Sequence, residues 1–412
     1  MIELKESVQR CLLVGIDCRE YNCDESLQEL SMLCETAGGE VVSVTSQKRE
    51  TPDKTSCVGT GKLEEIALFC NANEIDLVIF DVELSAVQLK NIEEIVPCGV
   101  IDRTMLILDI FAGRAKTADG KLQVELAQLK YRLPHLLGRG NAMSRLGGGI
   151  GTRGPGESKL ESDRRHIHRR IDALEKELAA LSKRRDTQRR SRRENEVKTV
   201  ALVGYTNVGK STLLNKLTGS SVLSKDMLFA TLDPTTRSLT LKNGQTVLLT
   251  DTVGFVSRLP HQLISAFKST LEEAVYADLI LNVCDISSEN FVQQLSVTTK
   301  LLSELGCDEN KIVTVYNKCD KLEGGIGVDP DPKKIVVSAH LGFGLDKLLD
   351  RIEEEVCSTL KLNLLISYDR MELLGKIRQN GTIISEEYTE NGVSVEAYVD
   401  KKDIYLVDGC VI

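Results

Sequence analysis

The sequence of 412 residues contains no tryptophan, and aromatic residues make up only 4% of it. Apolar residues still reach 42%, so aliphatic side chains can fill cores; this excludes disorder of the whole chain and favours a soluble protein of two to three domains. No apolar run reaches the ~18 residues that a membrane-spanning helix needs. The start of the chain has acids at Glu3 and Glu6 and only a short apolar stretch after them, so we expect no signal peptide.

Closely spaced cysteine pairs are also missing, although the chain has 12 cysteines. No C-x-x-C occurs, and the closest pair, Cys18 and Cys23, has no histidine nearby. Because zinc sites need ligands at short, regular spacings, the sequence predicts none. We expect reduced core thiols in a cytoplasmic protein.

Charge is distributed unevenly along the chain. The whole chain carries −9, whereas residues 139–193 hold 16 basic and 7 acidic residues and so carry +9, which leaves −18 for the remainder. Most charge runs form solvated helix faces. A basic segment in an acidic chain nevertheless indicates a polyanionic partner for that segment.

Residues 10–110 alternate short apolar runs with helical patterns, which predicts a small parallel α/β domain. The run VGTGKLEE imitates a phosphate-binding loop, but Ser56 and Leu63 stand where a glycine and a Ser/Thr are needed. The predicted strands are RCLLVGI, EVVSV, DLVIFD and GVIDRT, and the predicted helices are SLQELSMLCETAG and KLEEIALFCNAN.

Two leucine- and isoleucine-rich helical patterns follow, with apolar residues mostly three, four or seven apart. Such seams pair helices, so we expect an antiparallel hairpin whose first helix kinks or ends at Pro134. The seam residues are Leu122, Leu126, Leu129, Leu133 and Leu136, then Leu160, Ile167, Ile171, Leu174, Leu178 and Leu181.

The connection between these helices contains Gly149, Gly151 and Gly154 in the spacing G-x-G-x-x-G. A dinucleotide-binding fingerprint must follow a buried strand directly, but YRLPHLLGRGNAMSR precedes this one, which argues against an oxidoreductase. A structureless loop of about twenty residues is normally either functional or disordered. Three arginines suit contact with an RNA phosphate backbone: Arg139, Arg145 and Arg153.

A strong phosphate-binding signature stands at GYTNVGKST, after the strand TVALV and before the helical pattern TLLNKL. In this motif the backbone amides wrap the β-phosphate, Lys210 bridges the β- and γ-phosphates, and Ser211 ligates Mg²⁺. Asn207 either helps to bind a K⁺ ion beside the phosphates or stabilises a turn. The predicted contacts are Gly204, Tyr205, Thr206, Asn207, Val208, Gly209, Lys210, Ser211 and Thr212.

The residues NKCD and SAH, each ending a predicted strand, indicate that the base is guanine. Asp320 can accept from N1–H and the exocyclic amine of guanine, whereas adenine offers it neither donor. Asn317 can bond the base edge, Lys318 can lie over the ring and the Ala339 amide can meet the guanine carbonyl. The predicted set is Asn317, Lys318, Asp320, Ser338, Ala339 and His340.

Two further segments predict the nucleotide-sensing elements of a GTPase. DTVGF begins with Asp251, which can hold Mg²⁺ through water, and Gly254 can sense the γ-phosphate. FATLDPT offers Thr231 as a direct metal ligand, with Thr235 and Thr236 as rivals. The remaining predicted contacts are Phe229, Ala230, Leu232, Asp233, Thr252 and Val253.

Position 255 is phenylalanine, where many GTPases place the glutamine that orients the attacking water. A phenyl ring cannot hydrogen-bond water, so we expect slow intrinsic hydrolysis that a partner stimulates, with Lys210, Thr231 and Gly254 as the catalytic residues. Phe255 is equally compatible with a core position.

The predicted fold class is α/β, divided into four parts. Residues 1–115 form the N-terminal subdomain and residues 116–196 form the hairpin, with its Gly-rich basic loop at 138–157. Residues 197–359 form a Ras-like P-loop domain. Residues 360–412 form a small α+β domain: a strand, a helix and a β-hairpin that turns at Asn391–Gly392.

GGGIGTRGPGES followed by DRRHIHRRI, together with residues 102–131 and FATLDPT, resembles the HflX family of ribosome-associated GTPases over residues 10–358. The resemblance implies binding to the large (50S) ribosomal subunit, with the Gly-rich loop reaching rRNA near the peptidyl-transferase centre. It also implies splitting or rescue of stalled ribosomes under stress, or help in ribosome biogenesis. Two departures are the run ESKLESD and the domain after residue 360, which not every relative shares.

We therefore expect a cytoplasmic, monomeric GTPase with no membrane span that is recruited to ribosomes, with peripheral membrane association left open. The alternative is a GTP-dependent switch that acts on a protein partner, with its hairpin pairing as a coiled-coil dimer.

Overall fold

The computed structural model describes the chain in ten ranges: 8–18, 21–144, 155–194, 197–220, 228–229, 234–258, 268–322, 334–356, 359–400 and 403–411. These residues form an N-terminal α/β unit, a helical hairpin, a second α/β unit and a small C-terminal α+β unit. The predicted fold class is confirmed.

The N-terminal unit is a four-stranded parallel sheet in the order β2-β1-β3-β4, with an apolar cluster on each face. The first strand, RCLLVGID, is almost wholly apolar because both faces of a parallel sheet are buried. The elements are β1 (Arg10–Asp17), α1 (Cys23–Thr36), β2 (Glu40–Lys48), α2 (Thr60–Ala72), β3 (Leu77–Phe80), α3 (Ala86–Glu93), β4 (Gly99–Asp102) and α4 (Arg103–Arg114).

The strand order reverses between β1 and β3, and open parallel sheets bind ligands outside the strand ends at such a point. Asp81 follows β3 directly, and its side chain is fully buried. It accepts hydrogen bonds from Ser26 Oγ at 2.6 Å and Arg103 Nη1 at 2.9 Å. We call the site formed by Tyr21, Ser26 and Asp81 the N-terminal crevice.

The helical hairpin consists of α5 (Ala118–Ser144) and α6 (Pro155–Glu194), which run antiparallel. Leu126, Ile171 and Leu174 are buried between them, as the seams predict. Ion pairs flank this contact: Arg170 with Glu125 at 2.6 Å and Lys130 with Glu175 at 2.7 Å. The seam is therefore filled within one chain.

The first helix does not end at Pro134, where the sequence favours a kink or an end. Pro134 lies inside α5, which continues for ten more residues to Ser144. A proline removes one backbone hydrogen bond, but Leu129 and Leu133 on the preceding turns pack against the seam. We attribute the continuation of α5 to this tertiary packing, which outweighs the local preference.

The second α/β unit has a six-stranded sheet in the order β10-β9-β8-β5-β7-β6, in which only β6 pairs antiparallel. Its apolar strands lie at the centre of one core cluster. The elements are β5 (Lys198–Gly204), α7 (Lys210–Thr218), β6 (Thr235–Thr240), β7 (Thr246–Asp251), α8 (Lys268–Val275), β8 (Leu279–Asp285), α9 (Phe291–Glu304), β9 (Ile312–Asn317), β10 (Lys334–Val336) and α10 (Leu345–Val356).

The C-terminal unit is an antiparallel sheet in the order β11-β13-β12 with its own core. The predicted turn at Asn391–Gly392 is one residue off, because Gly392 already pairs with Thr389. A Cβ on Gly392 would lie 2.4 Å from the Ile366 carbonyl oxygen, so the glycine permits close strand approach. The elements are β11 (Thr359–Ile366), α11 (Met371–Asn380), β12 (Thr382–Thr389), β13 (Gly392–Asp400) and α12 (Ile404–Val407).

Cysteines of the described ranges are free thiols, and most of them lie in the cores. Within the same ranges, no helix combines the length and apolarity that crossing a bilayer requires.

We expect Gly204→Ala to lower the free energy of unfolding by about 3 kcal/mol. The φ angle of Gly204 is 155°, and an added Cβ would lie 2.1 Å from the backbone carbonyl oxygen of Val283 on β8. Denaturant titration checks the loss. Gly219→Ala is the matched control, since Gly219 also has a positive φ but no atom within 4 Å, and should cost only about 1 kcal/mol. Equal losses in the two variants would contradict the argument.

Candidate nucleotide-binding site

The segment Tyr205–Gly209 joins the central strand β5 to the start of α7 and forms an open loop at the carboxyl edge of the sheet. Asn207 and Gly209 have positive φ angles of 61° and 92°, which turn the backbone tightly ahead of the helix. The first amides of a helix have no partner within the helix and favour an anion. Thr206 Oγ1 is buried and, among the described residues, has no hydrogen-bond partner. The loop thus presents donors suited to phosphate.

Lys210, the first residue of α7, lies beneath this loop. Its Nζ is buried and donates to the carbonyl oxygens of Tyr205 at 2.7 Å and Gly204 at 3.1 Å. Burial lowers the pKa of Lys210 to about 8, and the nearby Asp251 carboxylate only partly opposes this. A phosphate in the loop would supply the anionic partner that this ammonium group needs.

Two oxygen-bearing side chains meet beside Lys210. Ser211 Oγ donates to the Asp251 carboxylate at 2.6 Å, which joins the start of α7 to the end of β7. Hydroxyl and carboxylate oxygens are the hard ligands that Mg²⁺ prefers, so the donor set fits this ion.

The two loops predicted to bind the base meet behind the phosphate loop. Asn317 donates to the Val208 carbonyl at 2.8 Å and accepts from the Ala339 amide at 2.9 Å. Lys318 donates to the Asn207 carbonyl at 2.7 Å and pairs with Asp285 at 2.7 Å.

The third predicted base-contacting side chain, Asp320, is exposed at the edge of this cleft. The hydroxyl of Ser338 donates to its carboxylate, and this bond is the main cause that lowers the pKa of Asp320. Asp320 therefore stays ionised and can accept two hydrogen bonds from a base. His340 follows on an exposed turn.

The segment 251–258, called switch II below, lies against the phosphate loop. The Thr206 amide donates to the Phe255 carbonyl at 2.7 Å, and the Phe255 amide donates to the Gly204 carbonyl at 3.1 Å. Thr252 Oγ1 is tied to the Leu202 carbonyl at 2.7 Å. The Phe255 side chain is buried in the core of the second unit, as its alternative interpretation expected.

Comparison with known proteins covers most of the chain. The GTPase HflX of Caldanaerobacter subterraneus subsp. tengcongensis is 49% identical over 97% of this chain and 93% of its own length. The chain belongs to the HflX family of GTPases. The HflX of Lacrimispora saccharolytica is 47% identical, over 97% of this chain and 95% of its own. This protein is therefore a GTP-binding and GTP-hydrolysing enzyme, which confirms the predicted activity.

Three family models match successive parts of the sequence. Residues 24–112 match the family GTP-binding GTPase N-terminal, residues 114–192 match GTP-binding GTPase Middle Region, and residues 199–318 match 50S ribosome-binding GTPase. A crystal structure of a GTP-binding protein from the hyperthermophilic archaeon Sulfolobus solfataricus in complex with GDP is 26% identical. It covers 84% of this chain and 99% of that chain, with a TM-score of 0.46.

Several residues predicted from the sequence lie outside the described residues or point elsewhere. Phe229 is described, but its buried side chain lies in the N-terminal core cluster and packs edge-to-face on Phe111 of α4, with the ring centroids 4.6 Å apart. Thr236 Oγ1 lies 3.0 Å from Thr250 Oγ1 within the sheet. Arg139 lies in α5. Outside the described residues lie Ala230, Thr231, Leu232, Asp233, Arg145 and Arg153.

Sequence reasoning missed how closely this HflX-family GTPase joins its phosphate loop to the N-terminal unit. The Tyr205 hydroxyl donates to the Glu29 carboxylate on α1 and accepts from the Ser257 amide at 2.6 Å. A cleft of about 410 Å³ lies between the phosphate loop, α1 and α9. No local pattern signals this contact, since 176 residues separate Glu29 from Tyr205.

We expect GDP affinity to fall as the pH rises through 8, by up to about tenfold between pH 7 and 9, because phosphate binding requires protonated Lys210. Titration calorimetry in two buffers of different ionisation enthalpy should detect proton uptake on binding. The pKa of Lys210 in the folded protein lies below the ordinary 10.5. Burial of the ammonium group therefore lowers the free energy of unfolding of the nucleotide-free protein below pH 8, and this loss is relieved between pH 8 and 10.5.

Lys210→Arg provides the control for this pH dependence. The arginine guanidinium keeps its charge over the whole pH range. Titration of the guanine base of GDP would affect the wild-type protein and the variant equally. An identical fall in affinity in the variant would assign the pH dependence to the nucleotide instead of Lys210.

Proposed function

We propose that this protein is a regulatory GTPase that docks on the large ribosomal subunit through the tip of its helical hairpin. The observation that carries the proposal is the pairing of α5 and α6 into a hairpin whose basic segment carries +9 in an otherwise acidic chain. The match of the second unit to 50S ribosome-binding GTPases supports it.

The nucleotide lies with its phosphates on the loop before α7 and its base beside Asp320. The loop amides surround the β-phosphate, and Lys210 bridges the β- and γ-phosphates. Asp320 reads the two donors on guanine, an edge that adenine lacks. Asn317 holds the phosphate loop and the base loop in one framework, which supports a shared site.

Ser211 would hold Mg²⁺ directly and Asp251 would hold it through water, with Thr231 as the further ligand that the sequence predicts. The 2.6 Å contact between Ser211 Oγ and Asp251 supports this pair. The ion would neutralise charge on the β- and γ-phosphates. A K⁺ ion beside Asn207 completes the proposed set of ions.

Hydrolysis depends on Lys210 and on the Gly254 amide, which donate toward charge on the γ-phosphate. Since Phe255 is buried in the core, it leaves the attacking water without the amide side chain that a glutamine would provide. The ribosome-bound state supplies the missing group or orients one from this chain, so turnover is slow until the protein docks.

The hairpin tip, which includes Arg139, Arg145 and Arg153, contacts the rRNA backbone. Docking there supports a role on stalled or assembling ribosomes, in splitting, rescue or biogenesis, and a cytoplasmic location. The competing coiled-coil dimer loses support because Leu126, Ile171 and Leu174 are already buried within one hairpin. The division into residues 1–115, 116–196, 197–359 and 360–412 is part of the proposal.

We expect purified large ribosomal subunits to raise steady-state GTP hydrolysis by about a hundredfold. ATP hydrolysis should not respond, because Asp320 rejects adenine. The measurement compares both nucleotides, with and without subunits, at two salt concentrations, and the stimulation should weaken at the higher salt. Unchanged GTP turnover would favour a switch that acts on a protein partner.

We expect Arg145→Glu combined with Arg153→Glu to weaken binding to large subunits at least about tenfold and to reduce the salt slope by about two. Arg184→Glu with Arg190→Glu is the control, because it makes the same charge change at exposed positions far from the tip on α6. Sedimentation binding across a salt series measures both. If the two double variants weaken binding equally, the tip contributes only non-specific charge to ribosome binding.

A further inference from the structure

The N-terminal crevice is filled by an arginine from the GTPase unit. Arg258, the last residue of switch II, donates through Nη2 to the carboxylate of Asp81 and to the hydroxyl of Ser26. Its guanidinium lies 3.8 Å from the centroid of the Tyr21 ring. A carboxylate, a hydroxyl and an aromatic face together form a complete site for a guanidinium group.

This arginine occupies the place where an open α/β sheet ordinarily binds its ligand, the switch point between β1 and β3. The backbone of Arg258 is left-handed, with φ 51°, a conformation that a non-glycine residue rarely adopts. Its contacts in the crevice hold it in this conformation. Through Arg258, switch II therefore occupies the ligand-binding position of the N-terminal sheet.

Helix α1 contacts switch II at a second point. The Glu29 carboxylate accepts from Ser257 Oγ, from the Tyr205 hydroxyl and from Arg103 Nη2. Glu29 therefore touches switch II and the phosphate loop at once. The apolar residues Val253 and Val256 belong to the N-terminal core cluster, so apolar packing as well as polar contacts attaches switch II to the N-terminal unit.

Between these attachments lies Gly254, whose amide is buried and donates to none of the described residues. A Cβ on Gly254 would lie 3.0 Å from Lys210 Nζ and 2.8 Å from Thr206 Cγ2. The amide is thus held close to the lysine that bridges the phosphates. Phe255 on one side and Arg258 four residues on restrict its movement.

We propose that Arg258 is a positioning residue: by binding in the N-terminal crevice it holds the Gly254 amide where a γ-phosphate meets it. The N-terminal unit then contributes to the preference for GTP over GDP, since only GTP has the γ-phosphate. The inference rests on the nucleotide placement proposed above. By linkage, GTP also strengthens the attachment of switch II to the crevice.

The test is calorimetric binding of GDP and of a non-hydrolysable GTP analogue to the full chain with Mg²⁺. We expect Arg258→Ala to weaken analogue binding about tenfold and to leave GDP binding within about twofold. Arg258→Lys should recover part of the loss, since it keeps the charge but not the planar fork. Arg237→Ala, an exposed arginine on β6 of the same unit, is the control and should change neither.

A second variant approaches the site from the other side. Tyr21→Leu removes the stacking face and leaves the Asp81 and Arg103 ion pair in place, so it should show the same selective loss for the analogue. Asp81 itself is unsuitable, because it also pairs with Arg103 and its loss would disturb the fold. Thermal unfolding of each variant reports its stability independently.

Five outcomes are possible. A selective loss for the analogue supports the inference, whereas equal losses for both nucleotides would show only structural support. No change, or tighter analogue binding, would overturn it, the latter by showing that the crevice holds switch II away from the γ-phosphate. If the wild-type chain binds neither nucleotide, the proposed nucleotide site itself fails.

Discussion

Four charged side chains between the N-terminal unit and the GTPase unit hold switch II against α1. Arg103 and Arg258 face Asp81 and Glu29, so the cluster is electrically balanced. The side chains of Arg103 and Asp81 are only 4% and 0% exposed. Removing one partner from such a buried pair leaves an uncompensated charge and typically costs about 3–5 kcal/mol. Of the four residues, Arg258 comes from the GTPase unit, so its ion pair with Asp81 joins switch II to this buried pair of the N-terminal unit.

The corner between β4 and α4 extends this connection to the hairpin. Arg103 reaches the charged cluster. Its neighbour Asp102 accepts from the Met105 amide in the first turn of α4, from the Leu84 amide and from the Tyr131 hydroxyl on α5. Burial raises the pKa of Asp102, and these hydrogen bonds oppose the rise. One corner thus holds the nucleotide-sensing segment through one residue and the hairpin through the next. A movement of switch II would act close to the base of the hairpin.

Local signals predicted most of the fold and the composition of the phosphate loop, because each rests on neighbours in sequence. The spacing of Leu126 and of Leu174 predicted the hairpin seam, and the strand before Gly204 predicted the position of the loop. The contact between Arg258 and Asp81 spans 177 residues and has no periodicity, so no pattern reveals it. Pro134 does not end its helix for a related reason, because long-range packing decides where that helix ends.

Three of the six described non-glycine residues with positive φ angles lie around the phosphate loop, the base loop and switch II. Asn207, Lys318 and Arg258 all have left-handed φ angles between 51° and 63°, each costing about 1–2 kcal/mol. Lys318 offsets its cost by binding the Asn207 carbonyl and Asp285, and Arg258 does so in the crevice. Strain of this kind persists only where the surroundings over-determine the backbone. The base loop and switch II each contact the phosphate loop, through Lys318 and through Phe255, so a displacement of the phosphate loop would disturb both contacts.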